Sequence, residues 1–531
     1  MMKKLFLCLL CLLSFATASL AKPPIVMDMV HNNPGEKPFD THYNDPTLLK
    51  KLGYTAKVFE LFESAQFGID WSSVDPAIFP VGSPERTWVD AKAAELDRLY
   101  SATKAAGLAV YCHTDMVVLP KRLVDKYGIQ KTFGDLSDPE TQKFIRLAVQ
   151  QQFKRFPQLD GLVVRIGETY LQGAPYHTGA IKEKESPEKT IIPLMNLLRD
   201  EVCVRLGKKL FFRSWLSFDT SIEKYTKVSD GVEPHPNLYI SVKHCEGDFH
   251  RGNPFSKVLG IGRHQQMVEV QCQREYEGKG AYPNYIANGV IEGFEEHGPD
   301  QSIRRVWANP LTAGMFTWSR GGGWGGPYIT NELWCDINVY VLSHWAQQPE
   351  RSEANIFGDY CTQVLKLSPG DAKKFRRLCL LSAEAVYRGK RSTHNDLSPL
   401  WSRDSGMSRP PLPESAEARQ RVLDQKDEAV GMWNEIVDLA KTIRFADADT
   451  KEYVVTSSMY GLLLYRIYRV GFQLAAVDGT TDKARLKSLI DEYDQDWAQY
   501  LRLKEEHPSN ASLYNDKPGI GAMVDELRAR L

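Results

Sequence analysis

Excess charge of one sign is what this chain lacks first. Its 66 Lys and Arg stand against 67 Asp and Glu, a formal net charge of −1. That balance gives no electrostatic case for nucleic acid as a partner. Cysteine occurs nine times; the seven beyond the N-terminal apolar run show no CxxC pair and no zinc-type spacing, and His244, His250 and His264 fall at no ligand interval. No metal and no cofactor is therefore read from the sequence. The glycines at Gly321-Gly-Gly-Trp-Gly-Gly326 are not followed by Gly-Lys-Ser/Thr, which excludes a phosphate loop. There is no internal repeat and no low-complexity tract.

Long apolar runs are missing too, with one exception at the start. Lys3 and Lys4 precede Leu5-Phe-Leu-Cys-Leu-Leu-Cys-Leu-Leu13, and small residues follow to Ala21. This is the pattern of a secretory signal peptide, too short to span a bilayer. Neither Cys8 nor Cys11 has the preceding small residue of a lipoprotein signal. Cleavage after Ala21 and a periplasmic or secreted destination are expected, without membrane insertion. The seven remaining cysteines are scattered and odd in number, so export permits disulfides without the pattern requiring them.

Hydrophobic content of 43% and charged content of 25% are those of a globular protein. From 22 to 348, short β-rich runs alternate with helical segments. Eight runs read as strands: Ile25–Val30, Ala56–Phe62, Leu108–Thr114, Gly161–Ile166, Lys209–Leu216, Leu238–Lys243, Met267–Cys272 and Ala313–Trp318. Alternation of strand and helix means parallel pairing, because a parallel neighbour needs a crossover. Eight such units predict the fold class α/β, a (β/α)8 TIM barrel, with an open doubly wound sheet as the alternative. The stretch 250–264 reads as loop, so the sixth unit is expected to lack a full helix. From 349 to 531 no strand pattern remains and five helical segments predict a C-terminal all-helical domain. Its aromatic helix with Tyr460, Tyr465, Tyr468 and Phe472 reads as core or interface.

A parallel barrel builds its site at the C-terminal ends of its strands. Three carboxylates follow strand ends here: Glu168, Asp248 and Glu275. A glycosidase needs one carboxyl to protonate the leaving oxygen and a second to activate water or attack. Lys243 closes the sixth strand, and Arg213 and Arg165 lie near the ends of the fifth and fourth. Cations beside the acids suit an anionic substrate, or else neutralise the site itself. Trp215, Trp318 and Trp324 lie at or beyond strand ends, where they stack on sugar rings or fill core. Asp28, His31, Glu60, Glu63, His113 and Asp115 also lie near early strand ends, with no motif to separate them from buried, hydrogen-bonded residues.

The segments Lys243-His-Cys-Glu-Gly-Asp248-Phe and Gln271-Cys-Gln-Arg-Glu275-Tyr-Glu-Gly278 resemble the α-glucuronidases of glycoside hydrolase family 67. Those enzymes carry a Lys with an Asp-Phe pair five residues on, then Gln-x-x-x-Glu-Tyr-x-Gly. The resemblance spans 160–345, including Gly322–Gly326 and Asn338-Val-Tyr340. It implies a barrel hydrolase with Glu168 as proton donor, Asp248 and Glu275 as candidate bases acting with inversion, and Arg213 and Lys243 on the uronate carboxylate. The implied substrate is an acidic oligosaccharide carrying terminal α-linked glucuronic or 4-O-methylglucuronic acid, and the helical tail is implied to make a homodimer. Around the acid the family's Asn-Ser-Glu-Gly reads Ile-Gly-Glu-Thr, and the family's N-terminal β-rich domain has no counterpart before the first strand. A hydrolase for another acidic sugar such as an α-galacturonide, a lyase, and a non-catalytic carbohydrate-binding barrel are the alternatives.

Overall fold

A computed structural model describes residues 23–531 except 34, 168, 170, 181–186, 215–217, 299, 324, 325, 327, 392–408, 478–481, 511–513 and 515–518. Glu168, Trp215 and Trp324 thus lie outside the described residues, as does the N-terminal apolar segment. Eight parallel strands close into a barrel: β1 (Ile25–His31), β2 (Ala56–Phe59), β3 (Ala109–Asp115), β4 (Gly161–Arg165), β5 (Lys209–Arg213), β6 (Leu238–Lys243), β7 (Gln265–Gln271) and β8 (Thr312–Gly321). Each expected run overlaps one of them, and β8 returns to pair with β1 from Ile25↔Gly314 to His31↔Gly321. The open-sheet alternative is excluded by that closure. A two-stranded antiparallel ribbon, Val118–Pro120 with His177–Gly179, lies outside the barrel.

Helices Pro84–Ala105, Pro139–Arg155, Pro187–Leu198 and Ile222–Ser229 make four of the crossovers. Three start at a Ser or Asp whose side chain accepts a first-turn N–H: Ser83 from Arg86, Asp138 from Thr141 and Ser221 from Lys224. Two of these caps are followed directly by Pro. Between β6 and β7 there is no helix, as the loop-like stretch implied. Helix Leu333–Gln347 follows β8, and after it every regular element among the described residues is helical.

Alternation along the strands sorts side chains into two sets. Val26, Val110, Leu162, Leu210, Ile240 and Val268 face outward into the core shared with the helices. Met27, Met29, Ala56, Val58, Tyr111, Val163, Phe211, Tyr239, Met267 and Phe316 form a separate apolar cluster inside the barrel. The next inward positions toward the C-terminal ends are His31, Glu60, His113, Arg165, Arg213, Lys243 and Glu269, all buried or nearly so. The barrel is therefore a greasy plug capped by one layer of ionisable groups. Among the described residues, no helix is long and apolar enough to cross a membrane.

The C-terminal helices pack on this barrel rather than beside it. Tyr460, Tyr465, Tyr468 and Phe472 are buried. The Tyr465 ring stands edge-on to Tyr282, from the loop after β7, with their hydroxyls 3.2 Å apart. Trp334, in the helix after β8, donates its indole N–H to Ser457 Oγ at 3.1 Å. The seven cysteines among the described residues are all buried free thiols.

Candidate active site at the barrel mouth

A cavity of about 420 Å³ opens at the C-terminal ends of β5, β6 and β7. Arg213, Asp219, Lys243, Asp248 and Glu269 line it, together with Ser214, Ser241 and Asn253. That volume is in the range of small-ligand sites. Arg213, Lys243 and Asp248 come from strand ends or the turn just beyond, where a barrel can vary residues without disturbing its core.

The cations of the mouth are engaged. Arg213 donates from Nε and Nη2 to the two Glu269 oxygens at 2.9 and 2.8 Å, with both residues 1% exposed. Its Nη1 points at His113 Nε2, 3.4 Å away. Arg165 forms the analogous fork with Asp115, at 3.0 and 3.1 Å. Those two residues are direct partners on adjacent strands. Lys243 reaches Asp248 Oδ1 at 3.0 Å and lies over the Phe249 ring.

Asp248 is the meeting point of two strands' loops. Its Oδ1 accepts from Lys243 on β6, and its Oδ2 accepts the Tyr276 hydroxyl at 2.5 Å from beyond β7. A carboxylate that accepts from an ammonium and a phenol is being used in its charged form. Asn253 donates to the Asp248 carbonyl at 2.7 Å, which fixes the turn that carries it.

Glu275 is placed differently. It does not line the cavity but lies against the loop after β8. Its N–H donates to Gln271 Oε1 at 3.1 Å, and Gln271 Nε2 donates to the Gly321 carbonyl at 3.1 Å. Gln273 Oε1 accepts from Arg320 Nε at 2.7 Å and the Gly321 N–H at 2.8 Å. Asn33 donates to the Gly323 carbonyl at 2.5 Å, closing the loop from the β1 side. Gly321, Gly322 and Gly323 have φ of 86°, 88° and 69°. A Cβ on Gly322 would sit 2.0 Å from Gln271 Nε2, and one on Gly323 2.5 Å from Glu275 Oε2. The glycine run is thus required by close approach to the Gln271 and Glu275 side chains.

Trp318 lies inside β8 rather than beyond its end and is 2% exposed. His31 stacks on it with centroids 4.8 Å apart, Arg213 lies over its ring, and Phe249 meets it edge-on. The expectation that this ring lies at a strand end, open to a sugar, is therefore corrected: β8 runs three residues further, to Gly321, and buries it. Of the early-strand candidates, His31 and His113 flank Glu60 at 3.4 and 3.6 Å. Burial, with Arg165 and Arg213 nearby, holds both imidazoles well below their usual pKa, so they are neutral at pH 7. Asp28 faces away from the mouth and accepts from Thr317 and Ser319.

Three participants carried no sequence signal strong enough to be singled out. Glu269 sits mid-strand in Met267-Val-Glu-Val-Gln271, where alternation with inward Met267 was the available clue. Tyr276 was legible only as part of a motif. Asp219 lies six residues beyond β5, accepts from Ser214 Oγ at 2.8 Å, and has no motif around it. Among the described residues, no group of His, Cys, Asp and Glu is arranged to hold a metal ion.

No protein-family model matches the chain, and no curated protein matches it in sequence. Solved structures do. A glycoside hydrolase family 138 enzyme targeting pectin rhamnogalacturonan II superposes with a TM-score of 0.59 at 12% identity, over 96% of this chain and 83% of that one. The fold is shared along nearly the whole chain, including the helical C-terminal region. A Thermobaculum terrenum O-GlcNAc hydrolase gives a TM-score of 0.41 at 8% identity, over 96% of this chain and 94% of that one.

Proposed function

We propose that the protein is an exported glycoside hydrolase that removes a terminal α-linked uronic acid from an acidic plant-type glycan. The observation that carries this reading is the single cavity where Arg213 and Lys243 stand among Asp219, Asp248 and Glu269. Hydrolysis of a glycoside needs at least two carboxyl groups, and a uronate needs a cation. In this reading Lys243, on the cavity wall, meets the substrate carboxylate. Arg213, held by Glu269 and facing His113, contributes positive charge. Asp248 takes a proton from the attacking water, oriented by Tyr276. Glu275, beside the glycine loop, is the second candidate base. Arg165 stabilises the mouth through Asp115 rather than reaching substrate. Trp318 supports Arg213 from below, which leaves sugar stacking to Trp215 and Trp324.

The motif resemblance favours glucuronic or 4-O-methylglucuronic acid as the sugar released. Galacturonic acid is the second reading, favoured by the pectin target of the family 138 neighbour. Proton NMR of reactions with aldouronic oligosaccharides and with pectin-derived oligosaccharides separates them. The expected result is release of free uronic acid, with the β-anomer appearing first if a single displacement operates. Galacturonate from pectin fragments selects the second reading. An unsaturated uronate absorbing in the ultraviolet would show a lyase instead. Binding of uronides without turnover would reduce the protein to a carbohydrate-binding barrel.

A further inference from the structure

Two carboxylic acids of the cavity stand in opposite surroundings. Asp248 accepts from the Lys243 ammonium and the Tyr276 hydroxyl, and it is partly open to solvent, with 39% of its side chain exposed. Asp219 is half-buried on the same cavity, and its carboxyl accepts from a neutral hydroxyl, Ser214 Oγ, at 2.8 Å. When two acids share a site and their environments favour opposite protonation states, one is fitted to give a proton and the other to take one.

We infer that Asp219 is the proton donor of this site, protonating the glycosidic oxygen while Asp248 activates water. The inference rests on the uronide-hydrolase reading above and deepens it by naming an acid that the family resemblance does not supply. In the step, the Asp219 O–H proton passes to the leaving oxygen as the C1–O bond breaks. Water forms the new C1–O bond and gives its proton to Asp248. Asp219 ends as carboxylate and Asp248 as acid, and exchange with solvent restores both.

The charged groups facing Asp219 act in both directions. Burial raises its pKa above the usual carboxylate value, and Glu269 adds to this. The Ser214 hydrogen bond and Lys243 lower it, and burial is the largest of these effects. Arg213, Glu246 and Asp248 complete the ionisable lining of the cavity. A bound uronate would partly neutralise Lys243 and Arg213, which favours the protonated acid further.

The test compares D219A, D219N, S214A and E168Q on a nitrophenyl α-uronide, whose leaving group needs no proton, and on an uronic-acid oligosaccharide, whose leaving group does. Loss of a general acid costs about 100- to 10,000-fold. That loss is expected in kcat for D219A and D219N on the oligosaccharide, with under about 10-fold on the nitrophenyl substrate. The alkaline limb of the kcat/KM–pH profile should vanish in both variants and move to higher pH in S214A. The inference is overturned if E168Q shows the leaving-group dependence and D219N loses activity equally on both substrates. It is also overturned if D219N keeps full activity on the oligosaccharide. Wild-type protein that turns over no uronide at all overturns the underlying reading instead, which keeps the two failures distinguishable. D219N, isosteric with the native residue, carries the test if D219A fails to fold.

Discussion

At the scale of single residues, the mouth is built from charges that cannot be removed one at a time. Arg213 and Glu269 are both 1% exposed and share two hydrogen bonds. Removing one member of such a pair leaves the other buried and uncompensated, at about 3–5 kcal/mol. R213M should therefore lose stability and activity together, and its activity alone says nothing about substrate binding. R213M/E269Q removes both charges. In urea unfolding it is expected to recover most of the lost stability. If Arg213 helps hold the uronate, KM on the uronide should stay raised at least about 10-fold in the double variant, one decade for each 1.4 kcal/mol of binding lost. Recovery of KM with stability would assign Arg213 a purely structural role. Asp28 shows the opposite economy of a buried acid, being satisfied by three donors and still strained by its burial. Its pKa is raised from 3.8 to about 6, chiefly by desolvation. The folded state therefore holds this proton more tightly than the unfolded chain. The stability it contributes is present below pH 3.8 and lost as pH rises to about 6, by about 3 kcal/mol. Asn at this position accepts from Thr317 Oγ1 and the Ser319 N–H and donates to Ser319 Oγ. D28N should gain on wild type steadily between pH 4 and 6.5 and stay level above it, as followed by urea midpoints; a pH-independent difference would refute the assignment. Arg213 was legible beforehand, but its buried partner Glu269 was not. Glu269 lies 56 residues from Arg213, and only the order of strands around the barrel brings them together.

At the scale of elements, strand patterning carried further than chemistry did. All eight strands were legible because alternation and turn residues are local signals. The length of β8 was not, since Ser319, Arg320 and Gly321 look like loop residues. They continue the strand because Gly321 pairs with His31 and Arg320 finds partners in Gln273 and Glu332. That extension is what buries Trp318 and aims the glycine run at Glu275. G323A tests the consequence. A Cβ there meets Glu275 Oε2 at 2.5 Å and its Cβ at 2.9 Å, on a backbone with φ of 69°. A non-glycine residue in this conformation costs about 1–2 kcal/mol, modest against the stability of a large domain. The variant should fold, melt a few degrees lower, and lose at least about tenfold in kcat through displacement of Glu275, a loss worth about 1.4 kcal/mol of barrier. Unchanged kcat would remove Glu275 from the catalytic group.

At the scale of the whole molecule, the helical region is wired to the mouth through buried side chains, Lys390 foremost. Lys390, at the end of the helix Pro369–Lys390, is 1% exposed and donates to the Tyr276 carbonyl at 2.9 Å. Tyr276 in turn donates its hydroxyl to Asp248 at 2.5 Å. A second link runs alongside: Arg251, beyond β6, pairs with Glu296 of the barrel and with Glu384 of the same C-terminal helix. Sequence could show that the tail is helical but not that it reaches the site, because nothing local distinguishes Lys390 from a surface lysine. K390M should leave the Tyr276 carbonyl short of a buried partner, a loss of about 1–3 kcal/mol. If the lysine matters only for docking the helices, its effect on kcat and that of Y276F should multiply. If it acts through Tyr276 on Asp248, the double variant K390M/Y276F should be little worse than Y276F alone. A coupling of at least about 0.5 kcal/mol in that cycle, read from kcat rather than from thermal melting, is the expected result. Strict additivity would mean that the C-terminal helices stabilise the barrel without touching its chemistry.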